Sequence, residues 1–525
     1  MVTVDVVVVG GGHNGLVAAG YLARAGLRVR LLERLDDVGG AAVSATAFDG
    51  VDARLSRYAY LVSLLPPRIL DDLGAPVRVR RRRYASYTPD PADGGRSGLL
   101  IGPHPTFEAV GAGRDRAGFE EFYRRCRTVT EPLWPTLLQP LVHAQQARSH
   151  VVQHGGPDAA AAWEALVERP LGQAITDAAG SDLVRGVMAT DALIGTFARL
   201  NDASLRQNVC FLYHLLGGGT GMWDVPVGGM GAVTAALAAA AISHGAEIVT
   251  GAEVVAVAPD GEVHYRSGDG EGVVRGRFVL ANVTPAVLAG LLGEPEPDLA
   301  DGCQVKVNLM LRRLPRLRDD SVTPQQAFGG TFHINETFSQ LDTAYTAAAA
   351  GDIPAPMPCE IYCHSLTDPS ILSPGLRGSG AATLTVFGLH VPHRIQASDP
   401  DRMRGRLTDA VLASLNSVLA EPIEDVVMVD AHGRPCIETK TTVDLQDALG
   451  LTAGNIFHGE LSWPFADADD PLDTPARQWG VATHHERILL CGSGSRRGGA
   501  VSGIGGHNAA MAVLAHRPQP APQSR

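Results

Sequence analysis

Lysine is almost absent from this chain: of 44 lysine and arginine residues, only Lys306 and Lys440 are lysines. The net charge of −12 argues against nucleic-acid binding, which needs a basic face. The seven cysteines are scattered without a CxxC pair, so we expect no disulfide framework or zinc site, and a reducing compartment such as the cytoplasm. No run of about 20 apolar residues is free of charge and glycine, and the first strand begins too early for a signal peptide. We therefore expect neither a spanning helix nor a cleaved leader.

Two kinds of sequence pattern alternate along the 525 residues. Apolar β-branched runs, glycine turns and small-residue helices occupy three segments, 1–85, 223–300 and 480–516. Longer helical stretches, strands and loops occupy the two segments 86–222 and 301–479. This alternation predicts an α/β fold, in which a discontinuous Rossmann-like cofactor domain carries an inserted mixed α+β substrate domain. The proline-rich end, 517–525, is predicted to be a disordered tail.

The clearest motif is GGGHNG, directly after the apolar run VDVVVVG. Gly10, Gly12 and Gly15 form GxGxxG between a predicted strand and a predicted helix, which lets the backbone approach the pyrophosphate of a dinucleotide. The helix start then offers unpaired N–H groups to the phosphates. Glu33 ends the second strand, at the spacing of a carboxylate that binds the adenosine ribose. The segment therefore predicts a dinucleotide site.

A second glycine pair distinguishes FAD from NAD. Gly39 and Gly40 follow Glu33 closely and would let the backbone pass the far phosphate and the ribitol of an extended FAD. No second strand–GxGxxG–helix unit follows, and the GGGTG at 217–221 is interpreted as a loop after a helix. One site filled by FAD is the simplest interpretation, with oxygen, a quinone or another carrier as the favoured electron acceptor.

These segments resemble the phytoene desaturase-like branch of the FAD-dependent amine oxidase superfamily. The resemblance rests on GGGHNGLVAAGYLARAGLRVRLLERLDDVGGAAVS, SRYAYLVSLLPPRILDDLG, VPVGGMGAVTAAL, NIFHGELS and LLCGSGSRRGGAVSGIGGHNAA. Within that branch they are most similar to the group called pyridine nucleotide-disulfide oxidoreductase domain-containing protein type two, near the carotenoid ketolases. Residues 35–60 contain no cysteine, so the redox CxxxxC of a disulfide reductase is missing. The resemblance implies a glutathione reductase type two fold like that of monoamine oxidase, an extended FAD, and hydride removal from an organic substrate.

The resemblance and the local pattern together suggest the remaining cofactor contacts. The glycines of 498–508 would let backbone N–H groups approach the flavin ring, and the helix that follows would direct its positive end at the pyrimidine. Asn14 and Asn508, in the two GGHN copies, are interpreted as helix N-caps, and both helix starts are expected along one FAD. Arg496 and Arg497 either add positive charge near the ring or form a solvated pair. The other candidate contacts are His13, Asn14, Arg34, Ala41, Val254, Gly492, Ser493, Gly499, Val501 and Ser502.

Two residues are candidates for catalysis. Lys306 shares a predicted strand face with Asn308 and Met310, and the resemblance implies a lysine linked through water to flavin N5; a solvent-facing lysine is the alternative. His458, in NIFHGELS, is expected to orient substrate or exchange a proton near neutral pH, with a buried histidine bonded to backbone as the alternative. His13 and His507, beside the glycine turns, are assigned to packing or FAD contact.

The predicted activity is FAD-dependent hydride removal from a mostly apolar small molecule, by C–C desaturation or C–N oxidation. Aromatic candidates for the substrate wall are Tyr58, Tyr60, Tyr213, Trp223 and Trp463, with core packing as the alternative. No spacing indicates a metal site. A polyene isomerase or ketolase, or a flavin-bound scaffold with little turnover, are the alternative functions. Peripheral contact with a membrane and self-association are left open.

Overall fold

The computed structural model describes residues 2–268, 270–298 and 300–516. The strands are β1 (Val2–Val9), β2 (Val29–Leu32), β3 (Ser44–Thr46), β4 (Arg54–Ser56), β5 (Val79–Arg80), β6 (Ser86–Pro89), β7 (Gly98–Ile101), β8 (Val225–Pro226), β9 (Glu247–Val249), β10 (Glu253–Val257), β11 (Glu262–Ser267), β12 (Gly270–Ala281), β13 (Val305–Leu311), β14 (Thr331–Ile334), β15 (Cys359–Tyr362), β16 (Ala382–Gly388), β17 (Ile437–Lys440) and β18 (Ile488–Leu490). The tail predicted at 517–525 lies outside the described residues.

The helices alternate with these strands. They are α1 (His13–Arg24), α2 (Pro67–Leu73), α3 (Arg116–Leu133), α4 (Ala144–His154), α5 (Ala159–Trp163), α6 (Leu171–Ala178), α7 (Asp182–Ala189), α8 (Arg206–Leu216), α9 (Met230–Ser243), α10 (Pro285–Leu292), α11 (Pro324–Ala327), α12 (Phe338–Ala349), α13 (His364–Thr367), α14 (Pro374–Ser379), α15 (His393–Gln396), α16 (Pro400–Asn416), α17 (Thr442–Leu449), α18 (Pro475–Gln478) and α19 (Ile504–Ala515). Within the described ranges, no helix is both long and apolar enough to cross a membrane.

The first sheet has seven strands in the order β10-β11-β12-β1-β2-β9, with β18 against the end of β12. β1 pairs in parallel with β2 and β12. Val6, Val7 and Val8 are fully buried, because helices cover one face and the β10–β11 region packs on the other. Burial of each valine contributes roughly 1.5–3 kcal/mol. This is the predicted α/β arrangement, and the fold class is confirmed.

The second sheet also has seven strands, in the order β17-β13-β16-β15-β14-β6-β7, and is mostly antiparallel. Its strands come from the segments assigned to the substrate domain, although the predicted domain limits themselves stay a prediction. The hairpin β6–β7 opens a segment that the sequence pattern indicated as helical. Helices α3–α8 then form a separate apolar core around Trp163, Phe122 and Phe211.

The two GGHN copies lie in the first turns of α1 and α19, which pack against each other. α1 begins after Gly12 and α19 after Gly503, whose φ is +71°. The prediction that Asn14 and Asn508 are N-caps is therefore wrong: the glycines turn the chain first, so both asparagines are inside their helices and are buried.

The first sheet determines where a ligand can bind. β1, β2, β12 and β18 run parallel, so their carboxyl ends meet at one edge. The loops after these strands begin at Gly10, Glu33, Asn282 and Cys491. In open α/β sheets this edge is where ligands bind.

Candidate functional site

One cavity of about 1000 Å³ extends from this edge to the second sheet. That volume is at the upper end of the range for ligand sites. The sequence-predicted residues on its wall are Gly10, Gly12, His13, Glu33, Arg34, Gly40, Ala41, Tyr58, Tyr60, Trp223, Val254, Lys306, His458, Ser493 and Val501. The other predicted residues pack behind the wall: Asn14, Gly15, Gly39, Tyr213, Trp463, Gly492, Gly499 and Ser502. The chain thus brings residues from its two ends to one cavity.

The first glycine cluster is shaped by Asn282, which the sequence interpretation did not single out. Gly10 has φ +98°, and a Cβ there would lie 2.7 Å from the Asn282 carbonyl oxygen. A Cβ on Gly15 would lie 2.2 Å from the Gly10 carbonyl oxygen, so this glycine serves packing of helix on strand. Asn282 Nδ2 donates to the Gly10 carbonyl at 3.0 Å and holds the turn. Its position after a parallel strand was the available signal.

Glu33 stands at the end of β2 with its carboxylate fixed by backbone. Oε2 accepts from the Gly11 N–H at 2.7 Å, and Oε1 accepts from the Leu35 N–H at 2.9 Å. Arg34 lies beside it and donates to the Ala448 carbonyl at 2.6 Å. A carboxylate held at the strand end in this way is placed to accept from ribose hydroxyls.

The second glycine pair packs onto the first. The Gly39 N–H donates to the Gly11 carbonyl at 2.9 Å, and Gly39 and Gly40 have φ of +132° and +57°. A Cβ on Gly40 would lie 3.3 Å from the Gly12 Cα. Both residues use the left-handed half of backbone space, which favours glycine. Gly40 and Ala41 therefore line the cavity while Gly39 supports them.

Two buried histidine nitrogens lack partners beside this cluster. His13 Nε2 and His458 Nδ1 are buried without a hydrogen bond to any described residue. Burial lowers the pKa of each histidine to about 4. Both imidazoles are therefore neutral at pH 7, and the catalytic role of His458 stays a prediction. Each unpaired nitrogen can still bond to a ligand oxygen, and together with the glycine cradle and Glu33 these groups fit a bound dinucleotide.

The segment before α19 contributes Ala500 and Val501 to the wall, whereas Gly499 and Ser502 pack against protein. Ser502 Oγ accepts from the Ile504 N–H at 3.2 Å and is fully buried. A Cβ on Gly499 would lie 3.2 Å from the Tyr213 ring. A Cβ on Gly492 would lie 3.0 Å from Asn282 Oδ1. The side-chain positions of these three residues face protein, and their predicted cofactor contacts through the backbone stay a prediction.

Arg496 and Arg497 do not face the cavity. Arg497 is 2% exposed and donates to the carbonyls of Pro464 at 2.8 Å and Gln139 at 2.5 Å. Burial lowers its pKa to about 9, so it stays charged at pH 7. Arg496 pairs with Asp470 at 2.8 Å. Both alternatives for this pair, a charge near the ring and a solvated pair, are wrong because the arginines join neighbouring loops.

Lys306 lies on the cavity wall and is 5% exposed. Its Nζ donates to the carbonyls of Ser56 at 2.8 Å and Tyr58 at 2.7 Å. Nζ also lies 4.8 Å from the centre of the Tyr60 ring. Burial lowers the pKa of Lys306 to about 7. The solvent-facing alternative is wrong, because residues 56–60 cover this face of β13.

Two of the aromatic predictions are wrong. The Tyr213 hydroxyl donates to the carbonyls of Arg497 and Gly498, and its ring is buried in the helical core. Trp463 stacks on Phe465 at 5.6 Å. Tyr213 therefore supports the loop that carries Arg497 and Gly498, whereas Trp463 packs against Phe465 beside the helical core. Trp223 does line the cavity and donates through Nε1 to the His214 carbonyl at 3.1 Å.

An acidic wall at the far end of the cavity escaped the sequence interpretation: Asp191 lines the cavity there, and Glu360 is buried behind it. Glu360 on β15 is 1% exposed and accepts from the Tyr362 hydroxyl. Burial and the nearby charge of Asp191 raise the pKa of Glu360 to about 8, although the Arg82 guanidinium opposes this shift. Burial also raises the pKa of Asp191. A glutamate inside the apolar strand CEIY was the available signal.

Comparison with known proteins identifies the family. Residues 8–68 match the model of the NAD(P)-binding Rossmann-like domain, and residues 68–316 match that of flavin containing amine oxidoreductase. A protein of Mycobacterium tuberculosis is 70% identical over 519 residues, covering 97% of each chain. The pyridine nucleotide-disulfide oxidoreductase domain-containing protein 2 of Rattus norvegicus is 30% identical, covering 97% of this chain and 93% of its own.

The solved structures agree with the fold. Putrescine oxidase bound to putrescine superposes with a TM-score of 0.55 at 16% identity, covering 98% of this chain and all of that one. The family and the cradle of glycines and Glu33 give FAD as the cofactor. The chain belongs to the family of the pyridine nucleotide-disulfide oxidoreductase domain-containing protein 2, carries a flavin containing amine oxidoreductase domain over residues 68–316, and is an FAD-dependent oxidoreductase.

Proposed function

We propose that this oxidoreductase removes a hydride from a carbon atom of a small molecule with a largely apolar body, forming a C=C or C=N bond. The observation that carries this proposal is the continuous cavity, which joins the dinucleotide cradle to a chamber lined by the second sheet and the helical region. Bound FAD supplies the hydride acceptor. The side chains of the chain itself bind the substrate, orient it and exclude water.

The apolar part of the chamber supports a substrate of low polarity. Its apolar and aromatic lining residues are Ile101, Phe119, Tyr123, Val187, Ile194, Leu215, Trp223 and Phe387. Such walls exclude water, which strengthens each polar interaction inside the chamber. A polyene or isoprenoid body matches these walls, as the resemblance to the desaturase-like branch implies.

A line of contacts connects the lysine to the acidic wall. The Tyr60 ring lies beside Lys306 Nζ and 4.9 Å from the Tyr362 ring. Tyr362 in turn donates to Glu360. These groups can orient a polar or amino end of the substrate, which supports C–N oxidation as strongly as the apolar walls support desaturation. The solved putrescine oxidase contains putrescine, an amine.

An anaerobic reduction experiment tests the proposal. The FAD-loaded protein is mixed with amines and with polyenes, and bleaching of the flavin band near 450 nm is followed together with product mass. A product two hydrogens lighter supports hydride removal and tells desaturation from amine oxidation. A product of unchanged mass with oxidised flavin would instead favour an isomerase. No reduction by the whole panel, with dithionite still reducing the flavin, would favour the scaffold.

Contact with a membrane and self-association are proposals that need their own tests. An apolar substrate would be collected from a lipid surface, although the net charge of −12 disfavours anionic lipid. Flotation with neutral and anionic vesicles measures membrane contact, and analytical sedimentation measures self-association. Absence from the vesicle fraction at low salt would contradict membrane contact, and a single monomer boundary would contradict self-association.

A further inference from the structure

Three potential ligand residues converge beside the chamber, and the activity proposed above does not require them as a group. One ligand atom each from His333, Glu336 and Glu360 lies within 4.8 Å of the other two. All three residues are at most 5% exposed. His333 lines the cavity, whereas Glu336 and Glu360 are buried behind its wall.

Strand pairing brings this group together. His333 on β14 lies directly opposite Glu360 on the antiparallel β15, so their side chains share one face of the sheet. Asn335 then adopts φ +57°, which asparagine tolerates better than most residues. The chain turns there, and Glu336 returns to the cluster. No sequence spacing typical of metal ligands could reveal this arrangement, because the third ligand comes from another strand.

One buried carboxylate oxygen of the cluster lacks a hydrogen-bond partner, which indicates room for a ligand. Glu336 is 1% exposed, and its Oε1 has no hydrogen-bond partner among the described residues. Its Oε2 accepts from the Thr190 hydroxyl. His333 Nδ1 lies 3.2 Å from the Thr88 hydroxyl, which leaves Nε2 as the ring nitrogen available to a cation. A buried carboxylate oxygen without a donor is costly.

Three carboxyl groups are buried close together here. Asp191, Glu336 and Glu360 act on one another electrostatically, whereas Arg82 acts on Glu360 and Asp191, and His214 acts on Asp191. Arg82 itself donates to Thr331 Oγ1 at 2.8 Å and to the Trp223 carbonyl at 3.1 Å, so it is directed elsewhere. A bound divalent cation would displace the protons that burial favours on these carboxyl groups and would give Glu336 Oε1 a partner.

We propose that His333, Glu336 and Glu360 form a binding site for a divalent first-row metal ion at the wall of the substrate chamber. One imidazole with two carboxylates suits Mn²⁺, Fe²⁺ or Zn²⁺ better than Ca²⁺ or Mg²⁺, which prefer oxygen alone. Three protein ligands leave a coordination position open to the chamber. Thr190 and Thr88 hold ligands through their outer atoms, as partners of metal ligands do.

Metal content provides the test, and it does not depend on turnover. Within the described ranges, one other group of this kind exists, Glu294 with His484 and His485, and it is partly exposed. Glu294→Gln removes that background. FAD-loaded Glu294→Gln protein is dialysed against Mn²⁺ or Zn²⁺, then against metal-free buffer, and its metal content is measured by mass spectrometry. We expect about one equivalent per chain.

Substitutions at the cluster separate this site from adventitious binding. In the Glu294→Gln background, Glu336→Gln and Glu360→Gln should each lower Mn²⁺ affinity more than 100-fold, while the flavin band is retained. Thr190→Val should lower it roughly 10- to 100-fold, as loss of an outer partner does. Metal that survives both glutamine substitutions, or no metal in the parent protein, would overturn the proposal and indicate that the carboxylates share a proton.

A second measurement covers variants that fail to fold. Crystals of the Glu294→Gln protein soaked in MnCl₂ or ZnCl₂ should show an anomalous peak about 2.0–2.2 Å from His333 and the two carboxylates. A peak elsewhere, or none at the cluster, would overturn the site without any substitution in it. Because neither readout uses substrate, failure here leaves the proposed hydride removal standing.

Discussion

Replacing Lys306 with methionine is the sharpest test of the catalytic side of the cavity. The side chain keeps its length, but the ammonium group that donates to the Ser56 and Tyr58 carbonyls is lost. We expect FAD to stay bound, because the dinucleotide cradle is built by other residues. Flavin reduction, or its reoxidation by oxygen, should slow at least tenfold.

The magnitude follows from the burial of the charge. A charge-assisted hydrogen bond contributes about 1.5–3 kcal/mol, and each 1.36 kcal/mol in a barrier changes a rate tenfold. If Lys306 makes one such interaction in the transition state alone, its loss slows the step roughly 10- to 150-fold. Interactions already made in the ground state would leave the rate unchanged.

The pH dependence of the flavin reaction rate separates the effect of the Lys306 charge from that of its packing. Burial lowers the pKa of Lys306 to about 7, so the wild-type rate constant should fall as pH rises through 7 and the ammonium loses its proton. Lys306→Met should show no such titration. Lys306→Arg keeps its charge throughout and should be flat and faster than the methionine variant. Stopped-flow absorbance near 450 nm between pH 6 and 9 measures all three.

The pH dependence of the stability of the FAD-free protein checks independently that the fold lowers the pKa of Lys306. The pKa of Lys306 falls from 10.5 in the unfolded chain to about 7 in the fold, so between these values the unfolded state binds more protons. The stability contribution of Lys306 therefore rises with pH in this window, by up to about 1.4 kcal/mol per pH unit. Lys306→Met should lack this rise in urea titrations. Wild-type rates in Lys306→Met across the whole pH range would refute the catalytic role, whatever the stability shows.

Three further changes test the supporting structure. Gly506→Ala should lower the free energy of unfolding by at least about 1–3 kcal/mol, because its Cβ would lie 2.0 Å from the Asn14 carbonyl oxygen. Urea titration measures this loss, and the control is Gly290→Ala, which adds a methyl group in open space on α10. Equal stability of the two variants would contradict the close packing at Gly506. Glu33→Gln should weaken FAD binding about tenfold by removing a charged acceptor, measured by flavin fluorescence; unchanged affinity would place the ribose elsewhere. Tyr213→Phe should lower stability by about 1 kcal/mol with KM unchanged, whereas a raised KM would return Tyr213 to the substrate wall.

The dinucleotide end was predictable because its signals are local. Gly10, Gly12 and Glu33 lie within one strand–helix–strand unit, where spacing in the chain fixes spacing in space. The same locality explains the second pair at Gly39 and Gly40. Lys306 was identified by its rarity, but its burial depends on residues 56–60, far away in the chain.

The substrate end could not be predicted in the same way. The acidic wall combines Asp191 from the helical region with Glu360 from the second sheet, and no local pattern joins them. Tyr213 and Arg497 were misassigned for one reason: each was judged by its neighbours in sequence, whereas the Tyr213 hydroxyl binds the Arg497 carbonyl across the fold. Long-range polar partners of buried groups leave no periodic signal.

The two GGHN copies contact each other, although their residues have different roles. Gly506 approaches so closely that its N–H lies 3.4 Å from Asn14 Oδ1, with no room for a Cβ. His507 packs edge-on against the Tyr21 ring, with 5.0 Å between ring centres. The second copy therefore stabilises the contact between α1 and α19, and the cavity is reached by Ala500 and Val501, just before the helix. Because α1 carries the pyrophosphate turn, this contact ties the position of Val501 to that of the turn and sets the distance between the two ends of the cofactor site.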